Sequence, residues 1–307
     1  MKIFYHQDLD GEASAAIVSY SRKDAHSMMA INYNDHFPIE TIEKDEEVFI
    51  LDFSLQEPGM WERLLEITSN VVWIDHHERA IRQSEHLAHL PGIRMWERDG
   101  QPVAACELVW SYIHGEEKIK DGISFIGDFD CWRFTYKEVT KNFINGLLSF
   151  CDTRPYRGNH TWNMILIGVN SGPWLGDVIK WGKKALEKRA ISNEEALFGL
   201  GFEVEFEGLK GICINRRQAG SGFFESVADQ YDVLVSASFD GERWSVSIYA
   251  PEGSSVDMSE LAAKHGGGGH RGAAGFSCNE LPFIFGERLI NKREEKFYEA
   301  WESNFSM

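Results

Sequence analysis

The chain has 307 residues, 43% of them hydrophobic, which is long enough for two domains of ordinary size with real cores. No apolar run approaches the roughly 18 residues that a membrane-spanning helix needs, which argues against a membrane role. The formal charge is −17, from 48 acids against 31 lysines and arginines, and a field of that sign repels long polyanions. It argues against a grip on long duplex nucleic acid and leaves short or small phosphate substrates.

In chain order, Lys2-Ile3-Phe4-Tyr5 reads as a short apolar strand that delivers His6-Gln7-Asp8-Leu9-Asp10-Gly11. No signal-peptide pattern precedes it, so a cytoplasmic location is expected. Ala13 to Tyr20 is helical by propensity; a helix starting just after the acids points its amide end at them and favours anions there. Ala30 to Tyr33 predicts a short strand. Glu47-Val48-Phe49-Ile50-Leu51 predicts another, which delivers Asp52, and Glu57 to Thr68 carries a helical apolar stripe. Val71-Val72-Trp73-Ile74 then runs straight into Asp75-His76-His77. Continuous apolar runs of this kind read as buried strands of a parallel sheet, whose carboxyl edge is where ligands bind. Successive strand residues point to opposite faces, so one of His76 and His77 can face a metal while the other faces a substrate.

Strand and helix thus alternate through the first half, as in an α/β domain with a parallel sheet. Arg79 to Gly100 reads as loop with a short helix, and Val103 to His114 and Lys137 to Phe150 as helices. A fourth acid cluster, Asp128-Phe129-Asp130, follows the apolar run Ile123 to Gly127. Beside it Trp132 offers a base-stacking surface, although a core aromatic is the expected role. From Ser171-Gly172-Pro173 a helical stretch reaches Leu200, with a break expected near Ser192.

The domains are therefore expected at 1–185, with a linker helix to about 200, and at 201–307. The second is a smaller α/β domain: strands at Phe202 to Phe206 and Gly211 to Ile214, a helix at Phe223 to Tyr231, and a hairpin through Val233 to Tyr249 about Asp240-Gly241. A short helix, Val256 to His265, runs into Gly266-Gly267-Gly268-Gly269-His270-Arg271, and Lys292 to Trp301 predicts a terminal helix. Five scattered cysteines, Cys106, Cys131, Cys151, Cys213 and Cys278, have no CxxC spacing and read as reduced, packed thiols.

Acids placed repeatedly at the ends of core strands repel one another and are costly to desolvate, and a cluster of divalent metals is the economical compensation. Carboxylate and imidazole together suit Mn²⁺, Zn²⁺ or Fe²⁺ better than Ca²⁺, and the lack of thiolates near the motifs argues against structural zinc. Asp8 and Asp10 share one face if extended, so Asp52 arriving between them can bridge two ions. In the glycine run, missing side chains let backbone amides approach an anion, and His270 and Arg271 add donors for phosphate.

The order His-x-Asp-x-Asp-Gly, lone Asp, Asp-His-His, further Asp, and then the glycine-rich run ending in His270 resembles the DHH phosphoesterases that carry a DHH-associated C-terminal domain. The resemblance covers nearly the whole chain. It implies that His6, Asp8, Asp10, Asp52, His76 and Asp128 hold two divalent ions, with Mn²⁺ expected. Asp128 is preferred over Asp130 because it directly follows the apolar run. Asp75 then orients a histidine and His77 faces the phosphate as the catalytic pair, while Gly267, Gly268, Gly269, His270 and Arg271 bind substrate. The active site is expected in the cleft between the domains. The implied activity is hydrolysis of short oligonucleotides or small nucleotides, nanoRNase-like or acting on dinucleotides or phosphoadenosine phosphate; a homodimer is compatible with it. Rivals are a pyrophosphatase or exopolyphosphatase, a RecJ-like single-strand exonuclease, and an inactive scaffold.

Overall fold

Four short strands whose side chains are apolar on both faces form the centre of the first unit. The computed structural model describes residues 1–22, 27–33, 35–168, 171–217 and 219–290. It divides into two units, Met1–Leu186 and Glu187–Met307.

The first unit opens β1 (Lys2–His6), α1 (Leu9–Ser21), β2 (Ser27–Ile31), β3 (Val48–Leu51), α2 (Met60–Ile67), β4 (Val71–Ile74) and α3 (Glu78–Gln83). A two-residue ribbon, β5 (Glu97–Arg98) and β6 (Gln101–Pro102), precedes α4 (Ala105–His114), α5 (Asp121–Asp130) and α6 (Glu138–Phe150). The turn α7 (His160–Trp162) follows, and then the long α8 (Ser171–Leu200), whose residues from Glu187 onward belong to the second unit. The sheet order is β2-β1-β3-β4, and every pairing is parallel.

The alternation of side chains sorts the strands onto two cores. Ile3, Phe49, Leu51, Val72 and Ile74 pack with residues of α1, α4, α5 and α6. Phe4, Val48, Ile50, Val71 and Trp73 pack with Met60, Trp61 and Leu64 of α2. A sheet covered on both faces explains why these strands read as unbroken apolar runs. Full burial of each such side chain is worth about 1.5–3 kcal/mol before entropy is counted. Chain order reverses between β1 and β3: β2 lies on one side of β1, and β3 and β4 lie on the other. That reversal makes a crevice at the carboxyl ends of β1 and β3.

The apolar run before the fourth acid cluster is helical and not a strand. Ile123 and Ile126, one turn apart on α5, are both buried in the core, so the run is the buried stripe of a helix. Helix α8 is continuous through Ser192, where the sequence predicts a break; a serine in a helix interior costs only a fraction of a kcal/mol.

The second unit contains β7 (Phe202–Phe206), β8 (Leu209–Asn215), β9 (Val233–Phe239), β10 (Trp244–Tyr249), α9 (Met258–Lys264), β11 (Gly268–His270), β12 (Ala273–Cys278) and β13 (Ile284–Arg288). Their order is β11-β12-β10-β9-β8-β7-β13. The sheet is mixed: β8 and β9 run parallel and the other pairs antiparallel. Phe223 to Tyr231 forms two short 3₁₀ turns, Ser221–Phe224 and Ala228–Gln230, in place of the one helix expected. Phe223, Phe224, Val227 and Tyr231 are all buried in one cluster, and their packing overrides local propensity. The terminal helix expected at Lys292 to Trp301 lies outside the described residues. Among these, no helix is long and apolar enough to cross a membrane, and all five cysteines are free.

Candidate metal centre

The carboxyl ends of β1, β3 and β4 bring His6, Asp8, Asp10, Asp52, Asp75, His76 and His77 together. Asp8 caps α1: its Oδ1 accepts a hydrogen bond from the Gly11 amide at 2.9 Å. Gly11 is required here, because a Cβ at that position would lie 2.1 Å from the His6 carbonyl oxygen. The Asp-Gly pair thus lets α1 start directly against the end of β1. The Nδ1 of His6 stands 2.6 Å from Oδ2 of Asp8 and 3.7 Å from Oδ2 of Asp52. With Asp52 and then Asp8 beside it, the His6 pKa is pushed up to about 10.

Asp10 is buried, and its two oxygens accept the amides of Ala105 and Cys106, each at 2.8 Å. These are the first two residues of α4, so the positive end of that helix faces an acid. Burial and the charge of Asp52 still raise the Asp10 pKa.

Asp52 is the centre of the group. It is 1% exposed, and neither carboxylate oxygen receives a hydrogen bond. Its φ of 66° is left-handed, an uncommon conformation for a residue other than glycine and one that marks stored strain. His76 Nε2 stands 3.3 Å from its Oδ1, and His77 Nδ1 stands 4.0 Å from the same atom. A buried carboxylate with both oxygens bare is costly. Divalent cations are the compensation this donor set fits, because ligand atoms of His6, Asp8 and Asp52 lie within 4.8 Å of one another, as do those of Asp52, His76 and His77.

The two histidines of the β4 motif differ. His76 Nδ1 donates to the Val103 carbonyl at 3.0 Å, which turns Nε2 toward Asp52. Burial opposes a charge on His76, but Asp52, Cys131 and Asp10 outweigh it and push its pKa to about 12. His77 Nδ1 stands 2.8 Å from Oδ1 of the fully buried Asp75. Burial lowers the His77 pKa and Asp75 raises it, with a net rise. Asp75 therefore orients His77.

The fourth motif requires a correction. Asp128, the residue preferred from sequence, points into structure and away from the cluster. It accepts the Thr135 amide at 2.8 Å, the Tyr136 amide at 3.4 Å and the Thr140 hydroxyl. Burial raises its pKa, but these donors hold it below the usual carboxylate range. Asp130, two residues later, has Oδ2 at 3.5 Å from His76 Nε2. Burial and then Asp10 push its pKa up to about 7. On a helix, residues two apart face different ways, so the same α5 turns Asp128 inward and Asp130 to the cluster.

Four further residues near the centre depart from the sequence reading or lie outside it. Tyr33 lies just past β2; its hydroxyl is 3.2 Å from His77 Nε2 and its ring is 4.9 Å from that of His6. The carboxyl-edge rule that finds the other residues points to it as well. Cys131 Sγ lies within 4.8 Å of ligand atoms of His76 and Asp130, contrary to the expectation that no thiol is near. Arg133 makes a two-pronged contact with Glu107 at 2.8 and 3.0 Å, tying the turn after α5 to the start of α4. Trp132, expected in the core, is 76% exposed, with φ 54°.

In the second unit the glycine run is an edge hairpin and not an irregular loop. Gly268 pairs with Gly275 and His270 with Ala273. A Cβ at Gly267 would meet the Gly275 oxygen at 2.1 Å, and one at Gly269 would meet Ala274 Cα at 2.5 Å. Two of the glycines therefore serve close packing on β12. His270 and Arg271 at the tip are exposed, and Arg271 donates to the Ser255 carbonyl at 2.9 Å.

No family model matches the chain, and no curated protein matches it. Among solved structures, the chain is similar to a pGpG-specific phosphodiesterase from Vibrio cholerae, with a TM-score of 0.50 and 14% identity, covering 99% of both chains. It is also similar to the DHH domain of a protein described as a member of a ribosomal protein family, with a TM-score of 0.52 and 14% identity, covering 97% of this chain and 85% of that one. The parallel four-stranded sheet and the separate mixed sheet follow the plan of these neighbours: the chain has the DHH-phosphoesterase fold.

Proposed function

We propose that this chain is a metal-dependent phosphodiesterase that hydrolyses short oligonucleotides or small nucleotides. The observation that carries the reading is Asp52, a buried, strained carboxylate with both oxygens bare and imidazoles on two sides. His6, Asp8, Asp10, Asp52, His76 and Asp130 are the residues that would hold two divalent ions, Mn²⁺ among the suitable ones. When bound, such ions activate water and neutralise charge building on a phosphoryl group.

The chain's own groups do the rest. His77, held at Nδ1 by Asp75, turns its Nε2 to a phosphoryl oxygen. His270 and Arg271 bind a substrate phosphate from the exposed tip of the β11–β12 hairpin. The net charge of −17 supports a small substrate over a long strand. A fold shared with a phosphodiesterase specific for pGpG lends support in the same direction.

The test is a panel assay with Mn²⁺ on dinucleotides, oligonucleotides of increasing length, dinucleotide second messengers, phosphoadenosine phosphate, pyrophosphate and polyphosphate. The expected result is rapid, chelator-sensitive turnover of the shortest diesters and a steep fall with length. Processive digestion of long single strands would favour the RecJ-like rival. Preference for pyrophosphate or polyphosphate would favour the other enzymatic rival, and metal binding without any turnover would favour the scaffold.

A further inference from the structure

We propose that Cys131 is a sulfur ligand of one of the two ions, so that the two metal positions are chemically unequal. This rests on the metal-centre reading above and assigns a residue that its motifs do not include. One position would draw on His6 and Asp8, all nitrogen and oxygen. The other would draw on His76, Asp130 and the thiolate of Cys131, with Asp52 between the two.

The geometry points this way in three respects. The ligand atoms of His76, Asp130 and Cys131 lie within 4.8 Å of one another. His76 Nε2 is also the atom that stands 3.3 Å from the bare Oδ1 of Asp52, so the thiol belongs to the same group as the unpartnered buried carboxylate. Finally, the placement of Cys131 is built and held. It is the C-cap of α5, directly after Asp130, with its amide on the Gly127 carbonyl at 3.1 Å. The turn that follows is pinned by Asp128 to Thr135 and Tyr136, and by Arg133 to Glu107. Its Sγ contacts Oδ2 of Asp130 at 3.9 Å, a member of the cluster.

Binding breaks the S–H bond: the proton leaves to solvent, the sulfur lone pair is donated to the ion, and nothing is oxidised or reduced. A thiolate among nitrogen and oxygen donors favours Zn²⁺, Co²⁺ or Fe²⁺ over Mn²⁺ and Mg²⁺. The thiolate position therefore retains a borderline-soft ion while the other exchanges with Mn²⁺.

The test uses the full-length, metal-stripped protein reloaded with Co²⁺. Bound cobalt is counted by elemental analysis, and the near-ultraviolet sulfur-to-cobalt charge-transfer band is recorded. The wild type is expected to bind two ions and show the band. Cys131→Ser is expected to lose the band, keep the visible ligand-field bands, and lose about tenfold or more of its preference for Zn²⁺ over Mn²⁺ in competition. Two bound cobalt ions without the band, or a band that survives in Cys131→Ser, overturn the inference and leave the metal centre standing. A wild type that binds no cobalt overturns both. Because the wild-type spectrum is decisive by itself, misfolding of the variant does not protect the inference, and Cys131→Ala serves as a second variant.

Discussion

The His76 ring is held by a single backbone oxygen: Nδ1 stands 3.0 Å from the carbonyl of Val103, which leaves Nε2 turned onto Asp52. Val103 lies just before α4, whose first amides bind Asp10. One short segment therefore aims a histidine and seats an acid. His76→Ala should lose bound metal and activity together; full metal content by elemental analysis would exclude His76 as a ligand.

Asp52→Asn separates metal binding from folding. Asparagine tolerates a left-handed φ better than most residues, so the backbone can stay. Metal content and turnover should collapse, and in chelator at pH 8 the variant should melt cooperatively but below the metal-free wild type, because His6 and His76 lose the carboxylate that holds their charge. A variant that keeps full metal content, or that melts without cooperativity, would contradict this.

The metal-free protein should lose stability as pH rises from about 5 to 8. The carboxyls of Asp10 and Asp52 are raised by burial, and Asp130 is raised to about 7. A raised carboxyl pKa means that the folded state binds the proton more tightly, so stability falls as pH climbs from the unfolded value toward the folded one. His6 and His76, raised to about 10 and about 12, act in the same direction above about pH 6.5. Bound metal should flatten the slope and add about 5–10 °C at 100-fold excess over Kd. Thermal melts in chelator and in Mn²⁺ across that range check the sign; a melting temperature that rises with pH in chelator would refute it.

Asp128→Ala and Asp130→Ala should divide structure from chemistry. Asp128 holds the turn after α5, so its loss should destabilise the fold by about 3 kcal/mol. Asp130→Ala should lower metal content with little change in denaturant midpoint. Equal metal loss in both variants at equal stability would restore Asp128 as a ligand.

Trp132 is an exposed aromatic in a strained turn next to Asp130, with its ring 5.7 Å from that of Phe134. Stacking on a nucleobase is worth about 1–3 kcal/mol, so Trp132→Ala should raise KM for a dinucleotide by about 5- to 150-fold with kcat nearly unchanged. An unchanged KM would remove Trp132 from substrate binding. His270→Ala should cost roughly ten- to hundredfold in turnover of substrate at low concentration while metal content stays full. Metal loss in that variant would overturn its assignment to the phosphate.

The parallel sheet and its ligand edge are legible in the sequence because strand ends announce themselves: an apolar run stops and an acid follows, as at Leu51-Asp52 and Ile74-Asp75. The fourth motif is harder because α5 is buried enough to read as a continuous run. Once it is helical, the residue after the run is no longer the one that faces the site, and Asp130 takes that place. Cys131 is illegible for another reason. Its place depends on how the turn after α5 is held beside His76, and one residue's spacing carries no trace of that. The glycine run serves packing as well as any ligand: Gly267 and Gly269 are needed for close approach to β12, while Gly268 and Gly269 stay exposed on the edge strand.

The amides that seat Asp10 come from residues 95 and 96 positions further along the chain. A growing polypeptide therefore carries its first three metal motifs out of the ribosome before it owns the helix end that makes the first of them tenable. Until α4 has been synthesised and docked, the acids at the ends of β1 and β3 have no reason to stay buried. Burial of the acidic cluster thus falls to the finished domain, and a nascent fragment ending before Ala105 lacks the amides that receive Asp10.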